Sequence, residues 1–152
     1  MNGQVANNYL RTKVMTATPE QLQMMLYDGA LRFCEQARSA LLEKNYEVSY
    51  NMISRVQKII MEFNCTLKHD VAPELCARLA ALYTYAYKKL IEANIEHRIE
   101  SLDEAMGILK FQRDTWGMLL DQLGKQKAAA AAHRIDLPAP NERMEASISI
   151  HG

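Results

Sequence analysis

Apolar residues recur at helical spacing in four successive stretches, with only a few residues between one stretch and the next. Few folds can bury four such stripes joined by such short connections. The first stretch opens on a helix-start signal. Thr18 suits an N-cap, Pro19 the first helical position, and Gln21 completes a capping box. Leu22, Met25, Leu26, Gly29 and Phe33 then share one face. Gly29 costs helix stability, which makes sense if another backbone approaches closely there.

This first helix is expected over residues 19–44, with Asn45 as the left-handed stop. A second follows over 46–67, its apolar positions being Met52, Ile53, Val56, Ile59, Ile60, Phe63 and Leu67. Pro73 opens a third, with Leu75, Leu79, Leu82, Tyr83, Ala86, Leu90 and Ala93 as its stripe. After a break near 96–100, Ser101 and Glu104 form a second capping box. The fourth stripe runs from Leu102 to Leu123, and Gly124 supplies a stop.

Each helix has about 22 to 26 residues and is roughly 33 to 39 Å long. No strand pattern precedes residue 146. The expected fold is all-α, an antiparallel four-helix bundle over residues 18–124. Residues 1–17 read as a flexible N-terminal arm and 125–152 as a mostly disordered C-terminal tail, although the alanine run could extend as helix. Leu26, Phe33, Val56, Leu79, Leu82, Leu109 and Trp116 are the expected shared core.

Composition excludes several function classes. The 18 basic and 18 acidic residues of the 152 cancel, so no basic face is offered to nucleic acid. No apolar run reaches the roughly 18 to 20 residues of a membrane span, and residues 1–8 show no secretory signal. Three cysteines, Cys34, Cys65 and Cys76, are an odd and scattered set that suits a reducing, cytoplasmic compartment.

No catalytic signature is present. No glutamate has a histidine three residues later, which excludes the di-iron sites some bundles carry. Cys65, His69 and Glu62 are the nearest approach to a reactive group, and no second pair completes a metal set. The chain is read as no enzyme, with no metal and no cofactor. Surface for a partner remains. Tyr83 and Tyr87 share a helix face while Tyr85 points elsewhere. Such tyrosines either half-bury at helix boundaries or line an amphipathic groove. Asn64 and Asn94 each end an apolar stretch, as caps or as partners for a peptide backbone.

Several segments, in order and in register, resemble the flagellar secretion chaperone family FliS. They are Thr16-Ala-Thr-Pro-Glu-Gln-Leu-Gln-Met-Met-Leu-Tyr-Asp-Gly-Ala30, Lys58–Leu67, Leu82–Asn94 and Gln112-Arg-Asp-Thr-Trp116. The resemblance spans roughly residues 5–123. It implies a four-helix bundle that binds the C-terminal region of flagellin in the cytoplasm, prevents its premature polymerisation and delivers it to the flagellar type III export apparatus. The implied partners are flagellin, the export-gate platform protein, and an anti-sigma factor or another flagellar regulator. The expected state is a monomer or weak dimer.

On that resemblance the client-binding residues are Ile60, Asn64, Leu67, Tyr83, Tyr87, Leu90 and Asn94, forming a long track. Tyr9 and Leu10 are expected to plug it until the client displaces them. The alternative reading is a self-associating helical scaffold or adaptor without a flagellin client.

Overall fold

The computed structural model describes residues 2–135. They form five helices: α1 (Asn2–Thr16), α2 (Pro19–Leu42), α3 (Tyr46–Cys65), α4 (Pro73–Glu96) and α5 (Ile99–Ile135). One compact unit ends at Trp116 and holds the core. The second begins at Gly117, and its described part, 117–135, is helical throughout.

Side-chain pairs give the topology of α2 to α5. Tyr27 meets Phe63, and the Arg55 guanidinium covers the Phe33 ring, so α2 and α3 run antiparallel. Phe63 meets Tyr83 while Tyr46 stacks on His97, so α3 and α4 do the same. Tyr85 bonds Glu104 and Glu92 bonds Ser101 across α4 and α5. Arg38 pairs with Asp103, and Arg113 with Asp28, closing α5 against α2. The all-α antiparallel four-helix bundle expected from periodicity is the fold observed.

Four seams at alternating spacings of three and four residues line the core: Tyr27, Ala30, Cys34, Ala37 and Leu41; Ile53, Val56, Ile60 and Phe63; Tyr83, Ala86, Leu90 and Ala93; Leu102, Ala105 and Leu109. This alternation keeps each seam turned toward its neighbours in a shallow left-handed bundle. The α2 seam is made mainly of small side chains, and the bulk of Ile53, Val56, Ile60 and Phe63 fills the space opposite.

Here the expected face of α2 is corrected. Leu26 and Phe33 only lean on the core, and Leu22 is 37% exposed. The larger apolar residues of α2 look outward because its inner stripe consists of residues that hydropathy underrates. Val56 and Leu109 are fully buried as expected; Leu79 and Trp116 are partly so, and Leu82 is exposed. Nor does a backbone approach Gly29. A Cβ there would meet only the end of Arg32, at 3.8 Å.

The helix ends follow local chemistry. Gln21 N–H donates to Thr18 Oγ1 (3.2 Å) and Thr18 N–H donates to Gln21 Oε1 (3.1 Å), the capping box expected. At the end of α2 the left-handed residue is Lys44 (φ 57°), not Asn45. Asn45 N–H reaches Ala40 O and Lys44 N–H reaches Leu41 O, a Schellman turn. Asn45 instead caps α3, its Oδ1 accepting from Val48 N–H. Ser101 caps nothing. It lies inside α5, buried, and donates to Glu92 Oε2 at 2.9 Å.

Two segments differ from expectation. Residues 2–16 are helical; they contain no proline, and the Thr12 and Thr16 hydroxyls donate back to the Asn8 and Thr12 carbonyls, which satisfies those hydroxyls without strengthening the helix. α5 passes through Gly124, since one glycine costs about 1 kcal/mol and the Lys125–Ala132 run of strong helix formers offsets it. Residues 125–135 of the expected tail are therefore helix, and the remainder of that tail lies outside the described residues.

Candidate docking surfaces

The expected client track divides into core and rim. Ile60, Tyr83 and Leu90 are 0%, 1% and 0% exposed. They are core residues, because the seam of α3 and α4 runs through them, and they offer no side-chain surface to a partner in this structure. Leu67 and Tyr87 pack partly exposed against that core. Asn64 and Asn94 are half-buried.

Tyr83 is held from three sides. Its hydroxyl lies 2.6 Å from that of Tyr27, diagonally across the bundle. Phe63 stands between them, with ring centroids 4.4 Å from Tyr27 and 5.5 Å from Tyr83. Burial, and then the Tyr27 hydroxyl, push the Tyr83 phenol far above its ordinary pKa. It remains neutral at any physiological pH.

Asn64 and Asn94 do not act as caps. Both stand inside their helices, and each Oδ1 is buried without a hydrogen-bond partner among the described residues. A buried orphan acceptor costs about 1 to 3 kcal/mol. An incoming peptide N–H could satisfy it once the amide rotates outward.

A groove that sequence reasoning missed lies between α4 and α5. Leu82, Tyr85, Gly107, Ile108 and Phe111 line about 390 Å³, with Glu104 at the rim. Leu82 is 38% and Phe111 68% exposed. Its sequence signal is two apolar pairs, Leu82 with Tyr85 and Ile108 with Phe111, spaced three apart and lying off the core seams.

A polar lattice closes one end of this groove. Tyr85 Oη donates to Glu104 Oε2 (2.9 Å), and Lys89 Nζ reaches Glu92 (3.2 Å) and Glu104 (3.7 Å). The Ser101 hydroxyl first, and Lys89 next, hold the Glu92 carboxyl below its usual pKa. Their carboxylates stay open to solvent, so these ion pairs contribute little to stability. They do fix the Tyr85 ring at the groove mouth, with Lys89 Nζ 5.5 Å from its centroid.

Helix α1 buries nothing. Tyr9 is 70% and Leu10 51% exposed, so in this structure they do not cover the bundle. The reason is geometric: at 100° per residue, Val5 and Tyr9 lie on one side while Leu10 and Val14 lie on another, giving no single sticky face.

The cysteines offer no chemistry in concert. Cys34 is fully buried, and burial, with a smaller push from Glu35, raises its thiol to about 12. Cys76 is buried and Cys65 exposed. Among the described residues, no group of three or more His, Cys, Asp or Glu side chains is placed to hold a metal. No described helix is long and apolar enough to cross a membrane.

An apolar groove on the outside of a helical bundle can receive a partner's side chains, and comparison with known chains narrows the class of protein. The model of the family "Flagellar protein FliS" matches residues 1–123. The flagellar secretion chaperone FliS of Bacillus subtilis (strain 168) is 34% identical over 119 residues, covering 78% of this chain and 88% of that one. That of Campylobacter jejuni (serotype O:6) is 29% identical over 115 residues, covering 76% and 90%. A solved structure titled "Crystal structure of flagellar chaperone from bacteria" shares the fold, with TM-score 0.64 at 16% identity over 80% of this chain and 99% of that one. The chain belongs to the FliS family of flagellar secretion chaperones.

Proposed function

We propose that this chain binds the C-terminal region of flagellin in the bacterial cytosol, keeps it from polymerising, and presents it to the flagellar type III export apparatus. Membership of the FliS family over residues 1–123 carries this reading. The outward apolar surfaces support it. A segment that is disordered as monomer and amphipathic once folded can lay its apolar face into such grooves, which removes the surface it would use in a filament. Ordering the segment consumes part of the interaction free energy, so the complex stays releasable.

On this reading we place the client where apolar side chains are exposed. Leu82, Tyr85 and Phe111 replace Tyr83, Ile60 and Leu90 as anchors, with Tyr87, Leu67, Asn64 and Asn94 along the rim of the track. Tyr9 and Leu10 are carried forward as a competing cover, a role that requires α1 to leave the exposed position it holds in this structure. The export-gate platform protein is the second partner, meeting the loaded chaperone.

Titration calorimetry with the C-terminal segment of flagellin from the same bacterium tests this placement. Leu82→Ser with Phe111→Ser should weaken binding by about 1 to 3 kcal/mol, since a few exposed apolar anchors dominate such interfaces. Both side chains are exposed, so the melting temperature should stay close to that of the parent chain. Unchanged affinity in a folded variant would remove the client from the α4–α5 groove.

A further inference from the structure

Two guanidiniums lie on the outer face of α2. Arg32 reaches over Gly29, its Nη2 being the atom nearest the space where a Cβ would stand. Arg55, from α3, lies over the Phe33 ring at 5.4 Å from the centroid. Gly29 and Phe33 are one helical turn apart on the same face, about 6 Å along the axis. The two cations therefore cover neighbouring sections of one stripe.

Of the other bundle arginines, three are paired and, among the described residues, Arg78 is not. Arg38 has Asp103, Arg98 has Glu96, and Arg113 has Asp28 and Asp114. Arg32 and Arg55 are both exposed, and among the described residues neither has a carboxylate within ion-pair distance. What they cover is apolar: Gly29, buried and without a side chain, and Phe33 with Met52 and Ile59 of α3, all three partly buried. Arginine lays its stem along such surface while its head stays hydrated and ready for a carboxylate.

We infer that the α2–α3 face is the docking site for an acidic amphipathic helix, whose carboxylates, three or four residues apart, take Arg32 and Arg55 while its apolar side packs on Gly29 and Phe33. The inference rests on the client-binding reading above and adds the chemistry of the segment held on this face. Carboxylates at that spacing are one turn apart on the incoming helix, which matches the two guanidiniums. The absent side chain at Gly29 lets the incoming backbone come close once Arg32 swings onto its carboxylate. Glu62 stands two turns along α3 on the Arg55 face, about 10 Å away. It sets a limit: the acidic positions belong at the Arg32–Arg55 level and not beyond it.

Calorimetry at low and high salt tests this on the full chain. The probes are the flagellin C-terminal segment and two designed amphipathic helices of equal hydrophobicity, one bearing glutamates and the other lysines on the polar face. The parent chain should bind the flagellin segment and the glutamate helix, more weakly as salt rises, and reject the lysine helix. Arg32→Glu with Arg55→Glu should weaken both complexes about tenfold or more and flatten the salt dependence. Arg78→Glu, on the exposed side of α4, should leave both unchanged.

An equal loss in Arg78→Glu, or parental affinity in the Arg32→Glu, Arg55→Glu chain, would overturn the site. If the flagellin segment does not bind the parent chain at all, the chaperone reading fails. The arginine-dependent capture of the glutamate helix would then still stand or fall by itself. Far-ultraviolet circular dichroism on each variant separates lost binding from lost fold.

Discussion

Replacing Tyr83 by phenylalanine tests whether the aromatic group at the centre of the bundle is core and not client surface. The Tyr83 and Tyr27 hydroxyls are 2.6 Å apart, and their residues are 1% and 2% exposed. Tyr83→Phe leaves the Tyr27 hydroxyl with no protein partner in an apolar surrounding, at a cost of about 1 to 3 kcal/mol. Tyr27→Phe strands the other hydroxyl at similar cost. The double variant has no buried hydroxyl to satisfy and keeps all three rings packed, so it should lie within about 1 kcal/mol of the parent. The coupling between the two sites should thus be about 1 to 6 kcal/mol, measured by urea unfolding at neutral pH.

A pH series sharpens that test. The folded-state pKa of Tyr83 is raised above its value of about 10 in the unfolded chain. Its contribution is fully present below that unfolded value and is lost as pH rises above it, at up to about 1.4 kcal/mol per pH unit. Cys34, raised to about 12 from 9.0, contributes with the same sign between those values. Tyr83→Phe should reduce the alkaline slope, and Cys34→Ala should reduce it further. Additive single variants, or an unchanged slope, would show that the hydroxyl pair is hydrated and Tyr83 accessible.

Two further outcomes follow from particular positions. Lys44→Gly should stabilise the chain by about 1 kcal/mol, since Lys44 holds a left-handed backbone (φ 57°), and Gly107→Ala should add about 0.5 to 1 kcal/mol, since a Cβ there meets nothing within 4 Å. Thermal melts check both. Deleting residues 1–12 should tighten binding of the flagellin segment by removing a competing cover, and unchanged affinity would show that α1 is no plug.

Much of the fold was legible because helix ends announce themselves chemically. Thr18, Pro19 and Gln21 placed the start of α2 to the residue, and Pro73 did so for α4. The register of α2 was not legible. Its core seam of Tyr27, Ala30, Cys34 and Ala37 is weakly hydrophobic, while Leu22, Met25 and Leu26 beside it are strongly so. Hydropathy then selects the outer face, and only the bulk of the facing α3 seam reveals the inner one.

The candidate site suffered from the same ambiguity in reverse. Tyr83 and Leu90 share a face, and nothing local says whether that face is core or surface. Tyr85 and Phe111 come together only through the pairing of α4 with α5, which no single-helix pattern encodes. The orphan Oδ1 atoms of Asn64 and Asn94 were singled out as polar ends of apolar stretches, but only packing shows that both lack a partner.

The account rests on one binding event, and size-exclusion chromatography with light scattering measures it directly. Mixed with the C-terminal segment of flagellin, the chain should pass from a monomer to a one-to-one complex and should hold full-length flagellin unpolymerised at equal concentration. A stable homodimer that ignores the flagellin segment and leaves filament growth unchanged would contradict the account and favour a self-associating scaffold.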